Sequence, residues 1–310
     1  MARATRTAEP ELTGEPERPD PLEKMIVARV GRGDLGEAPQ RNQRAAARKS
    51  AFRRIFFASP RPENSWRSYL SKAVDGPLNP ERTQVTNPTQ MSADIKEVAR
   101  FLGADMVGIA ELDQAFVFPY RFQGPSDDPL REKVPIDLRH RYAISLGVEM
   151  NLEKVKAAPS YIDNAEVGLR YHHGARVAVE LAAYIRELGY PARAHHTANE
   201  EVLHVPIAVS AGLGELGRMG ILVTRRYGPR LRLATVTTDL PLEPDKPVQI
   251  GVDAFCYICK KCATNCPIQA VPTGDKAPYK RVNKWKIDQE ACIRFWTANP
   301  EQWASCLNCI

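Results

Sequence analysis

The first 255 residues of this 310-residue chain contain no cysteine. A disulfide framework distributes its cysteines over the fold that it staples, so that scaffold class is excluded. The chain has no apolar run long enough to span a bilayer. Its N-terminus lacks the basic start and apolar stretch of a secretory signal. Arg53-Arg54-Ile55-Phe56-Phe57 has the look of a twin-arginine core, but polar residues and prolines follow where an apolar segment should stand. A cytoplasmic chain without a membrane span is expected. The formal net charge is only +6, and no nucleic-acid-binding motif accompanies it. The basic stretch "RNQRAAARKSAFRR" therefore reads as a solvated arm, with no nucleic-acid partner.

Regular patterning is scarce up to about residue 90. Pro60, Pro62, Pro77, Pro80 and Pro88 interrupt that stretch, predicting loops and short helices against a core, or partial disorder. Order begins at "SADIKEVARFLGADMVGIAEL". Ile95, Val98, Ala99 and Leu102 share a helical face, Ser92 is placed to cap its start, and Gly103 suits a left-handed stop. "DMVGIAEL" and the stretch Tyr142–Met150 read as strands. "ARVAVELAAYIRELGY" predicts a second helix, striped by Val177, Leu181, Tyr184, Ile185 and Leu188 and ended by Gly189. A strand follows near Pro191–His195, and "ILVTRRYGPRLRLATVTTDL" predicts a hairpin turning at Tyr227-Gly228-Pro229. This alternation predicts an α/β (α+β) core over residues 91–250, after an irregular basic extension over 1–90. Residues 251–310 differ in kind, with few apolar periods and short connections.

Cysteine is abundant only there: all seven lie past residue 255. Cys256, Cys259, Cys262 and Cys266 stand in the spacing C-x2-C-x2-C-x3-C-P. Such a run wraps one corner of a [4Fe–4S] cluster with three thiolates and sends the fourth to a neighbouring cluster. A structural zinc site favours two separated C-x2-C pairs, which does not fit. Cys292, Cys306 and Cys309, joined by Cys266, supply four ligands for a second cluster. The first is left with three, its fourth being due four residues after Cys309. A three-iron form, a non-cysteine ligand or a C-terminal truncation would each account for this, and truncation is expected. Two adjacent clusters make an electron relay into the 91–250 core.

Gly212, Gly214 and Gly217, with Leu213 and Glu215 between them, suit either a tight turn or close approach to a flat cofactor. The spacing matches G-x-G-x-x-G, but "PIAVSA" before it need not be a strand, so a dinucleotide site is disfavoured. His172-His173 and His195-His196 read as structural or surface residues, since strand neighbours point to opposite faces.

"NPTQMSADIKEVARFLGADMVGIAEL", "RYAISLGVEM", the block from Val205 to Leu242 and the cysteine module stand in the order found in reductive dehalogenases. The chain resembles that family over about residues 87–310. The resemblance implies a nitroreductase-like core that binds a cobalamin-type corrinoid without a histidine ligand, followed by a ferredoxin-like module with two [4Fe–4S] clusters. It implies reductive cleavage of a carbon–halogen bond in an organohalide, fed by a ferredoxin, flavodoxin or reductase. It sets the block Gly212–Gly217 against the corrinoid. Family members use a tyrosine beside an arginine or lysine as proton donor, and Tyr171 with Arg232 matches that pattern here. Asn199 is placed to hold the substrate or the tyrosine oxygen, while Tyr161 and Arg230 compete for the two main roles.

Two other readings stand beside it. Epoxyqueuosine reductase, a tRNA-modifying corrinoid enzyme, is similar, but its pattern has an aspartate before the helix proline and a "GLGWxGK" ending. Leu203-His204-Val205-Pro206 and "GLGELGR" depart from both. The third reading is a non-catalytic iron–sulfur or corrinoid electron-transfer protein.

Overall fold

The computed structural model describes residues 18–21, 26–42, 66–123, 132–197, 199–279, 282–298 and 305–310. The twin-arginine-like segment and most of the basic stretch lie outside them. Four strands build the central sheet: β1 (Met106–Glu111), β2 (Tyr142–Glu149), β3 (Ala192–His195) and β4 (Leu231–Thr238). Their order is β1-β2-β4-β3, and every pairing is antiparallel. The core is therefore of the α+β kind. Three of the strands lie where β-branched and apolar runs predict them, and β4 takes the second half of the predicted hairpin.

The predicted hairpin itself does not form as one unit. Thr224 and Gly228 exchange two backbone hydrogen bonds around the expected turn. Beyond it Leu222–Val223 pairs with Glu215–Leu216, while β4 joins the central sheet. Pairing with β2 and β3 on both flanks buries β4 far better than a two-stranded ribbon would.

Helix α1 (Pro88–Phe101) starts a full turn before the expected cap at Ser92. Asn87 is its N-cap, accepting from the amides of Thr89 and Gln90 at 3.1 and 3.2 Å, with Pro88 at the first helical position. Ser92 is instead buried and exchanges hydrogen bonds with the backbone of Glu243. Helix α2 (Tyr161–Glu187) begins about four turns before the predicted stretch. The signal for this start is "SYID": the Ser160 hydroxyl accepts from Ile162 and Asp163, and the Asp163 carboxylate accepts from the Ser160 amide at 2.6 Å.

One face of α2 carries Tyr171, Gly174, Ala178 and Leu181 onto the sheet. A Cβ at Gly174 would meet Ala234 and Val148, each at 3.7 Å, in ordinary van der Waals contact, which shows how closely this face lies on the sheet. Ile144, Leu146, Val177, Leu181, Ile185, Ala234 and Val236 fill this layer with Ile95 and Ile109. The opposite face of the sheet is covered by α3 (His204–Ser210), so "PIAVSA" is largely helical. His204 and Thr235 hydrogen-bond across that interface at 2.8 Å.

Residues 252–310 attach as α4 (Val252–Cys259), a short helix Lys261–Thr264, a ribbon of Ala277–Tyr279 with Val282–Lys284, and α5 (Gln289–Ala298). The N-terminal region contributes a helix, Ile26–Arg32, whose Val30 packs with Leu35 on Ile293 of α5. Arg294 donates to the Leu35 carbonyl at 3.0 Å. No helix among the described residues is long and apolar enough to cross a membrane.

Gly108 in β1 fixes how closely the segment after α3 approaches the sheet. An added Cβ would stand 2.3 Å from the Ala211 carbonyl oxygen and 2.9 Å from a Leu213 methyl. Gly108→Ala is expected to destabilise the fold by about 1–3 kcal/mol through overpacking, measured as a lowered urea midpoint with an unchanged slope. An unaltered midpoint would show that this loop can retreat freely.

Candidate cluster and cofactor site

The cysteine spacing folds as two adjoining groups of thiols. Cys256 and Cys259 lie on α4 and Cys262 on the short helix after it, close enough to influence one another's ionisation. Cys266, Cys292, Cys306 and Cys309 form a second such group, and Cys309 also feels Cys262. The first turn is made possible by Lys260, at φ +51° between α4 and the next helix. Burial, and then Cys306 and Cys266, pushes the Cys292 thiol up to about 11. Burial, and then Cys292 and Cys306, takes Cys309 up to about 12. Thiols crowded in this way ionise together only when a metal binds them, releasing protons as it does so.

The donor set suits iron–sulfur chemistry. The Arg218 amide points at Cys256 Sγ from 3.4 Å and the Ala270 amide at Cys266 Sγ from 3.2 Å. Such N–H···S contacts surround cluster thiolates. Among the described residues no three His, Cys, Asp or Glu side chains converge on a single ion. Thiols on separate corners of a cluster stand further apart than the ligands of one ion.

The glycine block joins this module to the core. Gly212 adopts φ +73°, and a Cβ there would lie 2.5 Å from the Lys246 carbonyl oxygen. At Gly214 it would lie 2.2 Å from the Val223 carbonyl oxygen, and at Gly217 it would strike Met219 and Val223. Close approach of backbone thus accounts for Gly212 and Gly214, whereas at Gly217 only side-chain atoms would have to shift. Leu213 is buried with Ala208, Val209 and Leu222. The Glu215 carboxylate is buried and accepts from the amides of Ile250 and Val252, both at 2.8 Å, at the start of α4.

Arg218, which has no counterpart among the residues expected from the sequence, is the most engaged side chain here. It is 1% exposed. Its guanidinium donates to the Cys256 carbonyl at 2.8 and 3.0 Å and to the carbonyls of Pro272 and Gly274, both at 2.8 Å. It also stacks 4.3 Å from the centre of the Trp285 ring. Its one local signal is a basic residue directly after a glycine-rich turn.

Tyr171 and Arg232 are brought together. Tyr171 lies inside α2, not before it, and the Arg232 guanidinium sits 5.1 Å from the centre of its ring. Arg232 Nε is buried without a hydrogen-bond partner. Arg230, in contrast, is committed to Glu149 at 2.8 Å and to the Met150 carbonyl. Tyr161 opens α2, about 15 Å along the helix axis from Tyr171 at 1.5 Å per residue. Asn199 closes the turn after β3, where its interactions are with His196 and Ala194. His195 is fully buried and bonded to Thr237 at 2.9 Å, and burial lowers its pKa well below the usual histidine value.

Tyr171 and Ile310 also pack against a buried cluster of Met150, Val155, Val167 and Leu307. Leu307 lies between Cys306 and Cys309, so the second thiol group adjoins Tyr171. Ser305 anchors this segment by donating to buried Asp163 at 2.8 Å.

Glu215→Ala would leave two amides at the start of α4 unsatisfied, at about 1–3 kcal/mol each. We expect a lower thermal midpoint and several-fold faster loss of reconstituted iron to a chelator, with far-ultraviolet circular dichroism unchanged. Iron retention equal to the parent's would remove Glu215 as the brace.

No family model matches the chain. A tetrachloroethene reductive dehalogenase of Desulfitobacterium hafniense is 35% identical over 266 residues, covering 71% of this chain and 47% of that protein. The catabolic reductive dehalogenase NpRdhA, solved in complex with 3-bromo-4-hydroxybenzoic acid, matches with TM-score 0.82 at 26% identity. That match covers 97% of this chain and 43% of NpRdhA. A further solved reductive dehalogenase, described in terms of B12-dependent dehalogenation, gives TM-score 0.84 at 26% identity, over 99% of this chain and 43% of that one. Epoxyqueuosine reductases match more weakly, that of Escherichia coli at 26% identity over 234 residues. The chain spans about half the length of the curated relatives it matches first. With its strand order, its thiol groups and these likenesses together, the chain belongs to the reductive dehalogenase family.

Proposed function

We propose that this chain is the corrinoid- and cluster-binding part of an enzyme that replaces the halogen of an organohalide by hydrogen. Electrons would come from a ferredoxin, flavodoxin or reductase and pass through two iron–sulfur clusters to a corrinoid cobalt. The bound corrinoid would supply the low-valent cobalt that breaks the carbon–halogen bond. Cys256, Cys259 and Cys262 would hold one cluster, and Cys266, Cys292, Cys306 and Cys309 the other. Gly212–Gly217 would present its backbone to the corrinoid, and the unmet Arg232 Nε gives the site a buried donor for a polar ligand.

The observation that carries this reading is the Tyr171–Arg232 pair beside the Cys306–Cys309 segment. Reduction of R–X consumes two electrons and one proton and releases halide. Tyr171 Oη is the group here with a proton to give, and the adjacent guanidinium stabilises the phenolate left behind. Asn199 lies just beyond β3 and is assigned to substrate positioning. The run Leu203-His204-Val205 before Pro206, where epoxyqueuosine reductases carry an aspartate shortly before the proline, offers no carboxylic acid, and Leu203 packs partly against an apolar cluster of Val117, Phe118 and Ile207.

Tyr171→Phe is expected to keep bound iron and corrinoid while halide release falls about 10²–10⁴-fold, the range of a lost general acid. Undiminished turnover would move the proton to another group. Cys266→Ser separates the ligand sets: the cluster shared with Cys292, Cys306 and Cys309 should disappear from the electron paramagnetic resonance spectrum, leaving the other. Loss of the Cys256–Cys262 signal instead would reverse the assignment.

A further inference from the structure

Arg218 combines three properties that rarely meet. It is almost fully buried, it is permanently cationic, and among the described residues its four guanidinium hydrogen bonds end on neutral carbonyl oxygens. A buried cation ordinarily has an anionic partner. The nearby carboxylate of Asp253 is already paired with Lys276. Trp285 lies against both cations, its ring centre 4.3 Å from Arg218 and 4.9 Å from Lys276, with its indole N–H bonded to the Gly274 carbonyl at 3.0 Å. What the Arg218 charge faces is the cysteine turn: its own amide donates to Cys256 Sγ and its side chain holds the Cys256 carbonyl.

We propose that Arg218 sets the reduction potential of the cluster held by Cys256, Cys259 and Cys262, by keeping beside it a buried positive charge that no carboxylate among the described residues, the buried Glu215 of the same loop included, pairs directly. This inference rests on the cluster reading given above. Taking up one electron from an external donor makes a cluster one unit more negative. A fixed cation in a low-dielectric wall stabilises that reduced form over the oxidised one and raises the potential. The four hydrogen bonds to carbonyls hold the guanidinium in place without cancelling its charge. Arg218 is thus a positioning residue for electrons, acting on the cluster without ligating it.

The test is an anaerobic redox titration of the reconstituted chain, followed by electron paramagnetic resonance, with Arg218→Gln and Arg218→Lys alongside the parent. Arg218→Gln should shift the one-electron equilibrium of the Cys256–Cys262 cluster at least tenfold toward the oxidised form, about 59 mV more negative. Arg218→Lys should restore most of that shift, and the potential of the other cluster should stay at the parent's value. Assembly of the cluster in the lysine variant but not in the glutamine variant would also sustain the role of charge. Equal shifts in both variants, no shift in either with clusters assembled, or failure of both to fold would reduce Arg218 to packing and overturn the proposal. If the parent assembles no iron–sulfur cluster, the functional reading above falls with it.

Discussion

Two buried charges on one short loop hold the site together. Glu215 reaches forward to the amides of Ile250 and Val252 at the entry to α4, and Arg218 gathers three carbonyls of the cysteine module, one on α4 and two in the loop after the next short helix. Both groups are desolvated, so breaking either set of hydrogen bonds would strand a charge or an amide in a dry interface. The loop cannot move to relieve this, because Gly212 and Gly214 press against Lys246 and Val223. The thiols therefore stand at a fixed place relative to the sheet. On the reading proposed above, any electron transfer from the module to the core would depend on that separation.

A second attachment closes the site from the other side. The Cys306–Cys309 segment lies in an apolar nest with Met150, Val167 and Tyr171, and Ser305 bonds to Asp163 at the start of α2. Burial raises the Asp163 carboxyl above its ordinary range, although the hydroxyls and amides around it act in the opposite direction. The same helix thus carries the anchor of the cysteine segment at its first turn and Tyr171 about two turns on. The Ile26–Arg32 helix and Leu35 add a third support, behind α5.

What is legible in the sequence is what depends on local spacing. Cysteines at fixed intervals specify ligand chemistry whatever the surrounding fold, and left-handed glycines such as Gly103 and Gly189 mark helix ends. Two helix starts escape this logic because their caps lie outside the apolar stripe: Asn87-Pro88 for α1, and Ser160 with Asp163 for α2. Only half of the hairpin can be read, since the turn is local but the choice of partner for β4 is not. Pairing of Tyr171 with Arg232 comes through the family likeness, because the two residues lie on different elements far apart in the chain and no period links them. Arg218 is illegible for a related reason: a cation buried among carbonyls of distant loops has no signature of its own, whereas a paired one often has its partner one helical turn away.

The Ser305–Asp163 bond joins residues 142 positions apart, and the Arg294–Leu35 bond joins residues 259 apart. Contacts of such separation close only after the residues between them have been made and the core has formed. Until then the second group of thiols has no fixed geometry, and Cys306 and Cys309 have no wall to lie against. If these thiols hold a cluster, as proposed above, its iron would enter a chain whose core is already folded. Exposure of these thiols to oxygen during synthesis would compete directly with that step.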